Sequence, residues 1–356
     1  MSKMSTDPTR HALHGPTMGT RWSALFHADL AFDPDPVRAA LQAAVNEVDA
    51  QMSTWQPDSD LMRLNAAPVG VWQGVPARLL DVLVLGRDIG QASCGAFEMG
   101  MGDAVAAWGF GVDAADPGQI RAAMDRGQAK NTLEIDVARS RVGKTAPMTL
   151  DLNGIAKGYG VDRLADTLVA FGFSAGLVGI DGEMRAMGLR PDGAPWNVAV
   201  EAPDTERRSP HSVIALHDAA VATSGDYRHW IEVQGRRLSH TMDPTKGAPL
   251  LAPPASVTVI AQTCAQADAW ATALMVLGVK AGAKLAEQRG LDALFLVRDD
   301  GSGYHSKTVG RLFSEQPSEN DLGLHRGISS PRCTKSIMNR STHPENGGFK
   351  RLSQCS

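Results

Sequence analysis

The chain has 356 residues, 43% of them hydrophobic, and a formal net charge of −4. That is ordinary globular composition, with ample length for a sizeable core in one large domain or two. The near-neutral balance argues against the basic face of a nucleic-acid binder, and no uninterrupted apolar run is long enough to span a bilayer.

Residues 1–14 are polar and are expected to be disordered. They contain neither the apolar core of a signal peptide nor a lipid-accepting cysteine, so the chain as written is expected in the cytoplasm. Thr17–Phe26 reads as a strand beginning beside Gly19. Residues 36–52 place Val37, Leu41, Val45 and Val48 on one helical face. Met52–Leu61 follows as a polar loop carrying Trp55, whose amphipathic ring suits either a packing lid or a stack on a planar ligand. Residues 76–93 are a Leu- and Val-rich helix, and Gly95–Gly102 is a glycine-punctuated turn. A short helix then leads to Trp108-Gly109-Phe110-Gly111, and residues 112–146 read as a peripheral insertion with a short helix and a polar pair of strands.

Residues 147–152 read as a strand that turns abruptly into a helix at Asp151-Leu152-Asn153-Gly154-Ile155-Ala156-Lys157-Gly158-Tyr159. Asn153 is a natural N-cap, Gly154 lets a ligand approach the backbone, and free N–H groups at a helix start attract phosphate. Such turns are also common scaffold. Beyond the helix, Asp181-Gly182 joins two strands in a hairpin pattern. Strands are expected at 197–201, 212–217 and 229–233, with a turn at Ala222–Tyr227 and an irregular Pro- and Gly-rich loop at Leu238–Pro249. Ser256–Ala261 is a further strand, 265–278 and 279–289 are helices, and 292–298 is a last buried strand. From about residue 315 the texture becomes polar and aperiodic, the composition of a disordered tail. The expected organisation is therefore a folded domain over 15–314 with the tail over 315–356.

Two places carry candidate chemistry. Asp268 and Thr272 are four apart, so on a helix they share one face and offer oxygen ligands to a hard cation; magnesium suits this better than zinc. An Asp favoured by the dipole near a helix start, with an unrelated Thr, gives the same pattern. His240 lies in a loop rather than on an apolar face, where an imidazole titrating near neutrality can take a proton from an attacking hydroxyl.

Thr17-Met18-Gly19-Thr20, Met52-Ser53-Thr54-Trp55, Trp108-Gly109-Phe110-Gly111, Asp151–Tyr159, Thr223–Tyr227, His240–Gly247 and Ala267–Thr272 occur in one order over about residues 15–300. Together they resemble the FAD:protein FMN transferases, the ApbE-like flavin transferases. The resemblance implies an α+β fold of mixed sheets with helices, two-lobed, with a central flavin cleft. It implies magnesium-dependent transfer of FMN from FAD to a Thr or Ser hydroxyl of an acceptor flavoprotein, through a phosphoester bond, with release of AMP. By position, Asp268 and Thr272 resemble the magnesium side-chain ligands, and Gly154 matches the place where a backbone carbonyl completes the site. Met18, Trp55, Ala96, Phe97, Glu98, Asp151, Lys157 and Met242 match FAD-contacting positions, and His240 resembles the proposed base.

The chain departs from the family pattern in places. Trp55 stands where Tyr is common, Asp181-Gly182-Glu183 replaces a Gly-Gly-Asp turn, and Ala271 falls where some relatives have a second acidic ligand. Many relatives are exported lipoproteins. The competing readings are a magnesium-dependent FAD pyrophosphatase giving FMN and AMP, and a non-catalytic FAD-binding protein. The chain contains no flavin-acceptor motif of its own, so a transferase of this sequence acts on another protein.

Overall fold

The structure is a computed structural model and describes residues 9–126, 132–204, 209–227, 230–233, 236–299 and 303–313. The expected tail over 315–356 lies outside the described residues, as do residues 1–8. In chain order the strands are β1 (Thr9–Thr17), β2 (Thr20–Ala28), β3 (Trp72–Gly74), β4 (Leu133–Asp136), β5 (Arg141–Lys144), β6 (Gly176–Ile180), β7 (Glu183–Met187), β8 (Trp196–Glu201) and β9 (Pro210–Leu216). They continue as β10 (Ala219–Gly225), β11 (Trp230–Val233), β12 (Arg236–Ser239), β13 (Met242–Asp243), β14 (Ala248–Pro249), β15 (Ser256–Ala261), β16 (Asp292–Arg298) and β17 (Tyr304–Val309). The helices are α1 (Asp35–Met52), α2 (Asp60–Ala66), α3 (Ala77–Ala92), α4 (Gly102–Ala107), α5 (Pro117–Arg126), α6 (Ala156–Ala170) and α7 (Cys264–Arg289). This is the expected α+β class, with every ladder between these strands antiparallel.

The central sheet has the order β1-β2-β6-β7-β10-β15-β16-β17. β6 (Gly-Leu-Val-Gly-Ile) is buried along its whole length, so it reads as a continuous apolar run rather than an alternation. One face of the sheet carries α6 and α7. There Trp22, Phe26, Val178 and Ile180 pack with Leu41 and Val45 of α1 and Leu164 and Leu168 of α6. Fully burying one such side chain stabilises the fold by about 1.5–3 kcal/mol. The β8–β9 hairpin covers the other face, where Trp196, Val198 and Leu216 meet Leu177, Ile260 and Leu296. Gly278 interrupts α7 at φ 70°, which accounts for the two helices expected over 265–289. By length and composition α7 could cross a bilayer, yet its first half is core, packed on β10, β15 and α6.

Several expectations are corrected. Residues 9–14 are not disordered: they form most of β1, paired with β2 throughout and buried at Leu13. The strand read over Thr17–Phe26 is instead the second arm of that hairpin, closed by Met18 and Gly19 at φ 46° and 70°. Both angles are positive, as the favoured two-residue hairpin turns require. Residues 147–152 join no ladder; the side chain of Asn65 takes the place of a neighbouring strand. Its Oδ1 accepts from the Leu150 N–H at 2.8 Å and its Nδ2 donates to the Leu150 carbonyl at 2.9 Å. Asn153 does not cap α6, which starts at Ala156 behind Ile155 with no side-chain cap. Its N–H and Nδ2 instead donate to the Asp151 carboxylate at 2.8 and 2.9 Å. Ala222–Gly225 is strand rather than turn, because β15 supplies a ladder pairing Thr223 with Thr258 and Ser224 with Val257. The loop over Leu238–Pro249 holds the end of β12 and the short β13–β14 hairpin.

Candidate active site

Three consecutive features of the central sheet end on the same side. They are the Met18-Gly19 turn, the Asp181-Gly182 turn joining β6 to β7, and the last residues of β10. The starts of α6 and α7 lie over this end. The polypeptide after α1, the 96–98 turn, α4 and the His240 loop close the space into one cleft of about 1150 Å³. Every residue singled out from the sequence lines it: Met18, Trp55, Ala96, Phe97, Glu98, Asp151, Gly154, Lys157, His240, Met242, Asp268 and Thr272.

The oxygen-bearing residues meet where α6 faces α7. Asp268 is buried, and its Oδ2 accepts from the Gly158 N–H at 3.0 Å, so a first-turn donor of α6 is already occupied. One turn further along α7, Thr272 Oγ1 lies 3.1 Å from Ser224 Oγ. A Cβ on Gly154 would sit 2.9 Å from the same Thr272 oxygen, so glycine allows the α6 entrance to approach that hydroxyl. The Asp268 carboxylate and the Thr272 hydroxyl, with the Gly154 backbone beside them, are hard oxygen groups of the kind magnesium takes. Among the described residues no three His, Cys, Asp or Glu side chains cluster as metal ligands, so such a site would rest on this mixed set.

Around it lies a charged group of which the sequence had singled out only Lys157 for the site. Lys157 Nζ donates to Glu183 Oε1 at 2.9 Å and stands 3.7 Å from Asp181. Burial lowers the Lys157 pKa, but Glu183, Asp268 and Asp181 outweigh it and hold the ammonium above its ordinary value. Glu183 Oε2 is buried with no hydrogen-bond partner among the described residues. Burial first, then the field of Glu183, raises the Asp268 carboxyl above the usual carboxylate range, while Lys157 opposes the shift. A cation at this point would meet net negative charge. Burial likewise raises Glu98, whose Oε1 accepts from the Gly100 N–H at 2.8 Å. It also raises Asp151, against the two bonds from Asn153.

His240 is half-buried in the cleft wall, with Phe110 edge-on at a centroid distance of 6.5 Å. Its loop is tied down by Trp108, whose Nε1 donates to the Gly247 carbonyl at 3.1 Å, and by Met242 packed with Ala104, Ala107 and Ala123. The α4–α5 segment is therefore a buttress of the loop; of it, only α5, through Ala123, falls in the stretch 112–146 read as a peripheral insertion, and that part of the reading is corrected. Trp55 also lines the cleft and is 59% exposed, so its ring is available to a ligand rather than spent on the core.

Sequence reasoning missed Ser224, Glu183 and Asp162 as neighbours of the site. Ser224 lay inside a recognised motif, and Glu183 stood out only as a departure in a turn. Asp162 carried a readable signal, a carboxylate in the apolar stripe of α6.

The model of the ApbE family matches residues 18–295. The chain is 36% identical over 292 residues to a FAD:protein FMN transferase of Vibrio cholerae, covering 81% of this chain and 87% of that one. It is 34% identical over 304 residues to a FAD:protein FMN transferase of Klebsiella pneumoniae, covering 83% and 86%. Among solved structures it is similar to the apo flavinyl transferase ApbE of Pseudomonas stutzeri, with a TM-score of 0.76 and 36% identity over 86% of this chain and 96% of that one. The flavin transferase ApbE of Vibrio cholerae also gives a TM-score of 0.76, at 32% identity over 85% and 98%.

Proposed function

The chain belongs to the ApbE family, and from that premise we propose that it is a FAD:protein FMN transferase that uses magnesium. In this reading FAD is cut at its pyrophosphate. An acceptor Thr or Ser hydroxyl oxygen bonds to the phosphorus of the FMN half, the P–O bond to the AMP half breaks, and AMP leaves. The hydroxyl proton passes to a ring nitrogen of His240. The observation that carries the reading is the convergence of Met18, Trp55, Ala96, Phe97, Glu98, Asp151, Lys157 and Met242 on one cleft with Gly154, Asp268, Thr272 and His240.

Asp268, Thr272 and the Gly154 carbonyl would hold the magnesium ion, which neutralises charge on the pyrophosphate and on the departing phosphate. Lys157, fixed between Glu183 and Asp181, places a permanent positive charge at the start of α6, where phosphate oxygens would lie. Trp55 supplies an exposed aromatic face for a planar ring in the cleft. Catalysis then rests on positioning and electrostatics, with His240 accepting the proton.

The test is incubation with FAD, magnesium and an acceptor protein carrying a Thr or Ser flavinylation motif. In-gel flavin fluorescence scores transfer, and chromatography scores FMN and AMP. Labelled acceptor with an equivalent of AMP supports transfer; free FMN and AMP with unlabelled acceptor support hydrolysis instead. His240→Ala is expected to keep FAD affinity and lose about 10²–10⁴-fold in rate, the usual contribution of a general base. Transfer by that variant at the wild-type rate with an unchanged pH profile would remove His240 from the role.

A further inference from the structure

Asp162 is a buried carboxylate among the apolar residues of α6, and the proposed chemistry does not use it. Its oxygens are committed. Oδ1 accepts from the Cys264 N–H at 2.9 Å and from Arg185 Nη1 at 2.7 Å, and Oδ2 accepts from the Ala265 N–H at 2.9 Å. Cys264 and Ala265 open α7, and the next N–H, that of Gln266, goes to Thr263 Oγ1 at 3.3 Å. Three of the four orphan donors of that helix start are thereby satisfied, two of them by a side chain of another helix.

The reverse bond runs from the second helix to the first: Asp268 of α7 accepts from the Gly158 N–H in the first turn of α6 at 3.0 Å. Each helix start is thus held by a carboxylate of the other. The contact is close, since a Cβ on Gly158 would lie 2.4 Å from the Cys264 carbonyl oxygen. Gly154 and Lys157 ride on the α6 side of this interlock, Asp268 and Thr272 on the α7 side. The relative placement of the two halves of the oxygen set is therefore fixed where Asp162 grips α7.

We infer that Asp162 is a positioning residue for the magnesium site, holding α7 against α6 so that Asp268 and Thr272 meet the Gly154 carbonyl. The inference rests on the reading of those three residues as magnesium ligands. Burial raises the Asp162 carboxyl above its ordinary value, against the two backbone donors and Arg185, and the grip uses both of its oxygens. Asparagine keeps the size but offers one acceptor oxygen, and its amide N–H groups would face the backbone donors or Arg185.

The test is calorimetric titration of the FAD-free protein with magnesium, alongside FAD binding without magnesium. Asp162→Asn is expected to weaken magnesium binding by about 10–100-fold, as loss of a group that orients a metal ligand does. FAD affinity should stay within about twofold, because the matched FAD contacts come mostly from elements outside the interlock. Thr263→Ala removes the other cap of the same helix start and is expected to leave magnesium affinity near wild type. Wild-type magnesium affinity in Asp162→Asn, or an equal loss in Thr263→Ala, overturns the inference. If Asp162→Asn does not fold, Arg185→Gln loosens the same grip from its outer side. A weaker magnesium affinity there supports the inference, and an unchanged one overturns it. Should the wild type bind no magnesium, or Asp268→Ala bind it as tightly, the ligand reading itself fails and the inference falls with it, a pattern distinct from failure at Asp162 alone.

Discussion

Cys264 registers the buried charges around it. Its thiol is fully buried, and burial first, then the carboxylates of Asp162, Glu183 and Asp268, raises its pKa well above the ordinary thiol value. The thiolate is the reactive form, so raising pH to about 8.5, the ordinary cysteine pKa, should not activate this residue in the native state. Iodoacetamide is therefore expected to leave Cys264 unmodified in folded protein and to label it in guanidinium, read by mass spectrometry of its peptide. Native labelling at the denatured rate would show that the α6–α7 seam opens. Trp55 is the opposite case. With 59% of its surface exposed it contributes little to the core, so Trp55→Ala should leave the unfolding midpoint nearly unchanged. It should weaken FAD binding by about 1–3 kcal/mol if the ring stacks, by analogy with base–aromatic stacking. Unchanged FAD affinity in the folded variant, measured by fluorescence titration, would leave Trp55 without a ligand role.

At the scale of elements, α6 and α7 cross so closely that Gly158 has no room to change. Its Cβ would lie 2.4 Å from the Cys264 carbonyl oxygen and 2.8 Å from Asp268 Cβ, one of them backbone that cannot swing aside. Gly158→Ala is expected to destabilise the protein by about 1–3 kcal/mol, the cost of overpacking, despite the helix propensity of alanine. A denaturation midpoint equal to or above wild type would mean that the helices can part. The same elements show what a sequence discloses. Helix α1 was legible because a 3.6-residue apolar period places Val37, Leu41, Val45 and Val48 on one face, and α3 because its stretch is rich in Leu and Val. The β6–β7 hairpin was legible because Asp-Gly fits a turn with positive φ. Thr223-Ser224-Gly225 looks like a turn by composition, yet it is strand because β15, more than thirty residues away, supplies its ladder. Residues 147–152 look like a strand, yet their partners are the Asn65 side chain, which satisfies Leu150, and the Met99–Gly102 turn, which bonds Thr149 and Asp151. Both misreadings come from hydrogen-bond partners distant in sequence. The family resemblance picked out residues that the fold brings to one cleft; Asp162 and Glu183 needed the packing that brings their partners together.

At the scale of the whole molecule, the cleft draws its walls from nearly the full length of the fold. Met18 comes from the first hairpin, Trp55 from the end of α1, and Ala96–Glu98 from the turn after α3. Asp151 and Lys157 come from the entrance to α6, Met242 from the loop after β12, and Asp268 from α7. A ligand that fills the cleft would therefore contact all of these segments at once. Anything that binds the native state alone stabilises it, by about 2.7 kcal/mol at a hundred times its dissociation constant. FAD is therefore expected to raise the unfolding midpoint. It should also slow amide exchange together in residues 17–20, 53–56, 96–98, 151–157 and 240–243, which are far apart in the chain. FMN and AMP, each half of the dinucleotide, should each protect only some of these segments. Hydrogen exchange followed by mass spectrometry distinguishes the outcomes. If FAD protects no more segments than FMN does, the AMP half lies outside the cleft, against the proposed seating of the pyrophosphate beside Lys157 and Asp268.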